Sequence, residues 1–376
     1  MVAAICREIA LQKNYLGGEA IDTIYLGGGT PSLLKKEEVS LILDEIRKTQ
    51  NVNPGAEITL EANPDDLTRQ KLDDLAAAGV NRLSIGIQSF RDDILSFFNR
   101  AHNSADAVRS IEDARAAGFN NISVDLIYGV PGPRFARRVS PEARAIVGRD
   151  DIAWRSSLDE ALRFRPEHIS AYSLTIEERT VFGKWKVANM LAPMDEGLVA
   201  GQFEILMDTL TSHGYDHYEI SNFSLPGFHS RHNSSYWNQT KYLGVGPSAH
   251  SYDGLSRQFN IANNAIYARK IDSGEIPCER EVLTATDKIN EYFMIGLRTA
   301  AGCDTDYLVD ELGLVFSDGQ KRYLDDLVRM DKIVFEGRRI KLTNKGKLLA
   351  DRIAEDLFVI NDISNGIAPH EKQGKH

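Results

Sequence analysis

Two hydrophobic rhythms alternate through the first half of the chain. Val2, Ile5, Ile9 and Leu11 recur near helical spacing, and Lys35 to Thr49 forms a second amphipathic run. Between them Ile21 to Pro31, IDTIYLGGGTP, reads as a short buried strand, with Ile24 and Leu26 on one side, that runs into three glycines. The pattern then predicts a strand over Glu57 to Ala62, a helix over Leu67 to Ala78 and a strand over Arg82 to Ser89. A broken helix follows over Asp92 to Gly118, a strand over Asn121 to Tyr128, a helix over Ser157 to Arg165 and a strand over His168 to Thr175. Strands alternating with helices mean parallel strands joined by right-handed crossovers, an α/β fold.

The alternation inside these strands separates a curled sheet from a flat one. Ile58 and Leu60 oppose Thr59 and Glu61; Leu83, Ile85 and Ile87 oppose Ser84, Gly86 and Gln88; Ile122, Val124 and Leu126 oppose Ser123 and Asp125. A flat sheet covered by helices on both sides is apolar on both faces. Here one face is small or polar, as expected where it lines the inside of a barrel. Its last inward positions, Glu61, Gln88 and Asp125, fall near the carboxyl ends of neighbouring strands, where α/β barrels place their chemistry. Gly27, Gly28 and Gly29 sit in the strand-to-helix turn beside them. Backbone N–H groups in such a turn suit a carboxylate or phosphate, although a tight corner uses the same glycines.

Past Thr175 the rhythm stops. A helix is expected over Asp195 to Ser212 and a short strand over His217 to Ser221, followed by the polar-aromatic stretch from His229 to Tyr252. A lone histidine there is better read as structural. Taken with Asn233, Tyr236, Trp237 and His250, His232 suggests a site for a flat apolar ligand with polar edges, with imidazole able to ligate iron. From about Thr284, three helices and a hairpin at Ile333–Leu342 resemble a winged helix. Charges of both signs are mixed through it with no basic recognition face, so a structural appendage is expected rather than DNA binding.

The net charge of −10 argues against a general nucleic-acid surface. No apolar run approaches the length of a membrane span and no signal peptide opens the chain, so a cytoplasmic location is expected. Cys6, Cys278 and Cys303 have no metal-binding spacing. The arginine-rich stretch Pro133 to Trp154 has little periodicity and reads as a mobile excursion or a basic lid.

In these residues the chain resembles the radical S-adenosylmethionine (SAM) superfamily. It is similar to the group around oxygen-independent coproporphyrinogen III oxidase and, within it, to the HemW-type heme-chaperone branch. The marks are GGGTPSLL from Gly27, EANPDDLT from Glu61, GVNRLSIGIQSF from Gly79, DLIYGVPG from Asp125, YEISNF from Tyr218, and HNSSYW from His232 with GVGPSAHSY after it. The resemblance implies a partial (β/α)6 TIM-like barrel over 1–180, an extension carrying HNSSYW over 181–283, a winged-helix-like domain over 284–360 and a loose tail over 361–376. It implies SAM contacts at Gly28, Gly29, Thr30, Glu61, Gln88, Arg100 and Asp125, more loosely at Thr175 and His250. It also implies a heme-related role for His232, Asn233, Tyr236 and Trp237, with His232 as candidate iron ligand and a heme-acceptor protein as partner.

The family's CxxxCxxC loop, which holds a [4Fe–4S] cluster, and the barrel strand before it have no counterpart in this sequence. A shortened or misassigned start is expected, with no radical chemistry by the chain as it stands, and with the strand at 21–27 left as an open sheet edge. The leading expectation is a chaperone-like heme binder; the alternative is a SAM-dependent porphyrinogen oxidase, and a third reading is a cluster-free scaffold. Catalytic residues and oligomeric state stay open.

Overall fold

Strand β1 (Ile21–Leu26) begins a seven-stranded sheet, described together with the rest of the chain by a computed structural model over residues 1–130, 151–177, 180–191 and 195–360. Strands β2 (Val52–Ala62), β3 (Arg82–Gln88), β4 (Ile122–Tyr128) and β5 (His168–Ser173) follow in sequence order, each parallel to its neighbour. Two short strands, β6 (Asp216–Glu219) and β7 (Asn222–Ser224), close the far side antiparallel, β7 lying against β5. The result is a curled half-barrel, as the polar inner face predicts.

Helices Val2–Leu11, Lys36–Thr49, Arg69–Ala78 and Ser104–Ala116 supply the outer layer. Against them lie the outward residues Leu60, Leu83, Ile85, Ile87, Ile122, Val124 and Leu126, each fully buried or nearly so. At roughly 25 cal/mol per Å² of apolar surface, such side chains each contribute about 1.5–3 kcal/mol to folding. The inner face carries Glu57, Thr59 and Glu61 on β2, Arg82, Ser84 and Gly86 on β3, and Ser123 and Asp125 on β4. Sheet geometry thus hands the apolar residues to the core and the polar ones to the lumen.

Several expectations shift. β2 begins at Val52 rather than Glu57, and the helix before β5 begins at Asp151, so the end of the arginine-rich stretch is already helical. Trp154 is buried there, its Nε1–H donating to the Gln202 carbonyl at 2.9 Å. The lid or excursion itself, 131–150, lies outside the described residues, as does the tail 361–376. After the barrel, β8 (His250–Tyr252), β9 (Ser256–Asn260) and β10 (Cys278–Val282) form a separate antiparallel sheet that the pattern does not announce. These strands are short and mostly polar, so they leave little periodic trace.

The chain divides into two compact units, Met1–Val282 and Leu283–His376. Within the second, helices Ala285–Gly296, Asp318–Arg329 and Ala350–Asp356 pack with a three-stranded antiparallel ribbon. Cys303 and Asp304 provide the third strand, beside the Ile333–Glu336 and Arg339–Leu342 hairpin.

Candidate functional site

The mouth of the half-barrel is built from strand ends. At the end of β2, Glu61 accepts the Tyr25 hydroxyl at 2.8 Å and the Gly28 N–H at 3.1 Å. Its carboxylate therefore ties β1 and the glycine turn to β2. Gly28 and Gly29 have φ of 72° and 89°, and a Cβ on either would meet nothing within 4 Å. The turn needs glycine for its backbone, and open space lies where side chains would otherwise stand. Thr30 follows, exposed.

One strand across, Gly86 serves the opposite purpose. A Cβ there would stand 2.9 Å from Gln88 Nε2 and 3.4 Å from an Arg100 guanidinium nitrogen, so the missing side chain makes room for two polar groups. Arg100 donates to Asn63 Oδ1 at 2.8 Å and to the Gly86 carbonyl at 3.2 Å. Gln88 itself has a φ of 64°, next to a break in the β3–β4 register. Its side-chain amide nitrogen and the Arg100 guanidinium stand together over Gly86.

On β4, Asp125 accepts from Ser84 at 3.1 Å. Screening from water pushes its carboxyl up to about 6; Ser170, Ser84 and Arg82 oppose that rise and Glu61 adds to it. Glu61 and Asp125 thus both belong to the inner face, on β2 and β4. The lumen beneath them is lined by Arg82, 2% exposed, 4.0 Å from the equally buried Glu57. The Arg82 Nε is buried without a hydrogen-bond partner. His168, fully buried between Ser123 and Tyr218 hydroxyls, is held well below its ordinary basicity by burial and by Arg82.

A second cluster meets the first at β1. Helix Arg231–Trp237 is capped by the Ser230 side chain, and Glu57 accepts the Arg231 and His232 N–H groups at 3.3 and 3.1 Å. This fixes His232 against the inner side of β1. Its ring stacks on Tyr25 at 4.6 Å and 17°. Nδ1 lies 3.0 Å from Thr23 Oγ1, and Nε2 lies 3.1 Å from the Tyr236 hydroxyl one helical turn on. Burial, helped by Arg82, lowers the ring's pKa to about 4, so the imidazole is neutral at physiological pH. Tyr236 packs edge-on against Tyr242 at 4.8 Å, and Tyr242 reaches Tyr252. The Trp237 Nε1–H is buried with no acceptor. Asn233 contributes its backbone N–H to the cap.

Behind this aromatic ladder the Gly-Val-Gly-Pro loop is pinned by Glu8. That wholly buried carboxylate accepts from the Gly246 N–H at 2.8 Å, Asn260 at 2.7 Å, Gln12 at 2.9 Å and the Tyr267 hydroxyl.

The structure brings Gly28, Glu61, Gln88, Arg100 and Asp125 to one rim, and His232, Tyr236 and Trp237 onto one short helix. Thr175 stands exposed beyond β5, and His250 is exposed on β8 with its ring 5.9 Å from Phe259. Neither makes a side-chain hydrogen bond among the described residues. Tyr25, Thr23, Glu57 and Arg82 are the participants that sequence reading passed over. The strand alternation, carried four residues back from Glu61 and two back from Ser84, marks Glu57 and Arg82; nothing local marks Thr23.

A [4Fe–4S] cluster does not fit the cysteines described. Cys6 lies on the first helix, Cys278 opens β10, and Cys303 is buried in the second unit. No group of three His, Cys, Asp or Glu side chains able to hold a metal forms among the described residues. No described helix is long and apolar enough to cross a membrane.

Comparison with known proteins agrees with this architecture. A profile of the radical SAM superfamily matches residues 6–136. Coproporphyrinogen III oxidase (HemN) from Escherichia coli, a radical SAM enzyme, superposes with a TM-score of 0.77. The match covers 95% of this chain and 82% of that one at 22% identity, which establishes the fold. The half-barrel is that of a radical SAM protein, and that superfamily implies SAM and a [4Fe–4S] cluster as cofactors.

The chain is 34% identical to heme chaperone HemW of Bacillus subtilis over 90% of its own length and 85% of that protein's. It is 30% identical to HemW of Escherichia coli, over 91% and 85% respectively. A mouse protein, radical S-adenosyl methionine domain-containing protein 1, mitochondrial, matches at 30% over 90% of this chain and 75% of its own. The chain belongs to the HemW family.

Proposed function

We propose that this protein binds heme at helix Arg231–Trp237 and passes it to an acceptor protein, with the barrel mouth as a SAM site. The observation that carries the heme assignment is the position of His232. Its ring is neutral, its plane is fixed by Tyr25, and its Nε2 faces the more exposed side of the site across a single hydroxyl. A neutral imidazole with an available lone pair is what porphyrin iron requires. The ladder of Tyr236, Tyr242 and Tyr252 offers flat apolar contact, and the partnerless Trp237 N–H is a donor suited to a polar edge such as a propionate.

At the mouth, Gly28, Gly29 and Thr30 would hold the amino-acid end of SAM, whose sulfonium is positively charged. Glu61 and Asp125 supply the negative field for that cation, while Arg100 and Gln88 supply donors for its polar groups. These side chains would bind and orient SAM, and the described cysteines do not fit the cluster that a radical step needs. Burial makes Asp125 costly to ionise, and a bound cation would offset that cost.

Titration with hemin tests the heme assignment. The wild-type protein should develop a Soret band with saturation near one equivalent, and His232→Ala should weaken binding at least 30-fold while retaining the fold. A flat titration with folded wild-type protein, or unchanged affinity in the variant, would overturn it.

A further inference from the structure

His232 has a hydroxyl at each ring nitrogen, and the two are not equivalent. Thr23 stands on β1, on the inner side, 3.0 Å from Nδ1. Tyr236 stands on the same helix as His232, 36% exposed, 3.1 Å from Nε2. A neutral imidazole donates at one nitrogen and accepts at the other. A phenol is the stronger acid of the two hydroxyls and so the better donor. The favoured pairing has the Tyr236 O–H donating to Nε2 and the Nδ1–H donating to Thr23. The reverse pairing would leave the lone pair facing the strand, where a porphyrin cannot approach. The ring cannot exchange its nitrogens freely, because Tyr25 stacks on its face and Glu57 holds the backbone N–H at its base.

We propose that Thr23 fixes the tautomer of His232 so that Nε2 carries the lone pair, and that the Tyr236 hydroxyl caps this lone pair until heme iron displaces it. The proposal rests on the heme assignment above. Thr23 is a positioning residue: it orients the ligand through the opposite ring nitrogen, a hydrogen bond of the kind that tunes metal-bound histidines. Tyr236 is a gate, its hydroxyl engaged at the same nitrogen that would bind iron. It keeps its ring against Tyr242 whether or not the hydroxyl is engaged, so removing the oxygen alone separates capping from packing.

Two measurements test this separately from heme binding itself. In protein labelled with 15N at histidine and free of heme, NMR should show His232 protonated at Nδ1, and Thr23→Val should move the population toward Nε2–H. Protonation at Nε2 in the wild type would overturn the tautomer assignment regardless of any heme result. In hemin titrations, Thr23→Val should weaken affinity about 10-fold, with Thr23→Ser restoring it. Tyr236→Phe should strengthen affinity about 3- to 10-fold by removing the competing hydrogen bond. Weaker binding by Tyr236→Phe would contradict the gate and make the phenol a contact instead. If His232→Ala binds hemin as the wild type does, the heme assignment fails while the NMR result still decides the tautomer.

Discussion

The barrel mouth and the aromatic ladder are neighbours built on opposite principles. The mouth gathers charge: Glu61 stands near the end of β2, Asp125 on the inner face of β4, and Arg100 reaches Asn63 and the Gly86 carbonyl from the loop after helix Asp92–Phe97. The ladder excludes charge. His232 is kept neutral, and burial pushes the Tyr236 phenol up to about 12. Tyr25 belongs to both, giving its hydroxyl to Glu61 and its face to His232. One region is prepared for a cation, the other for a flat neutral surface.

The largest expected effect lies behind the ladder. Glu8→Ala would leave the Gly246 N–H, the Asn260 amide and the Tyr267 hydroxyl without their shared acceptor. Urea denaturation should show a loss of roughly 3–5 kcal/mol, from stranded buried donors and a cavity together. A loss below about 1 kcal/mol would mean that the loop holds without this carboxylate.

Asp125→Asn should act in the other direction. A carboxyl that titrates near 6 when folded and near 3.8 when unfolded makes the folded state bind more protons between those values. Stability therefore falls as pH rises through that window, and the full penalty persists above it. The amide variant should be more stable than wild type at pH 7.5, on the order of 2 kcal/mol, and lose that advantage near pH 4. His168 contributes the opposite slope, because its depressed basicity costs stability as pH falls below the ordinary histidine range. Denaturation at both pH values checks the pair; a variant less stable at pH 7.5 would contradict the strained acid. The same substitution should weaken SAM binding, a stability cost borne for function.

The smallest effect tests the shared residue. Tyr25→Phe keeps the ring against His232 and removes the hydroxyl from Glu61, so hemin affinity should stay within about 2-fold. Stability should fall by about 1 kcal/mol, the net worth of one typical, partly exposed intramolecular hydrogen bond. Equal losses in both would mean that the two regions are one.

The mouth was more legible in the sequence than the ladder for a physical reason. Glu61, Ser84 and Asp125 lie on strands whose two-residue alternation declares an inner face, and parallel order brings neighbours together. Arg82 opens its strand, where a charged residue reads as solvated, yet it is buried. The ladder depends on His232 meeting Thr23, a partner 209 residues away. No local period encodes that contact. The HNSSYW motif signals chemistry without its setting, and the φ of 64° at Gln88 is equally silent. β7, three residues reading Asn-Phe-Ser, is too short to show alternation.

Nitrogen hyperfine spectroscopy on hemin-loaded protein tests the central claim most directly. The account predicts a strongly coupled imidazole nitrogen in wild type and in His250→Ala that is lost in His232→Ala. Loss of that signal in His250→Ala and its survival in His232→Ala would place the iron at β8 instead.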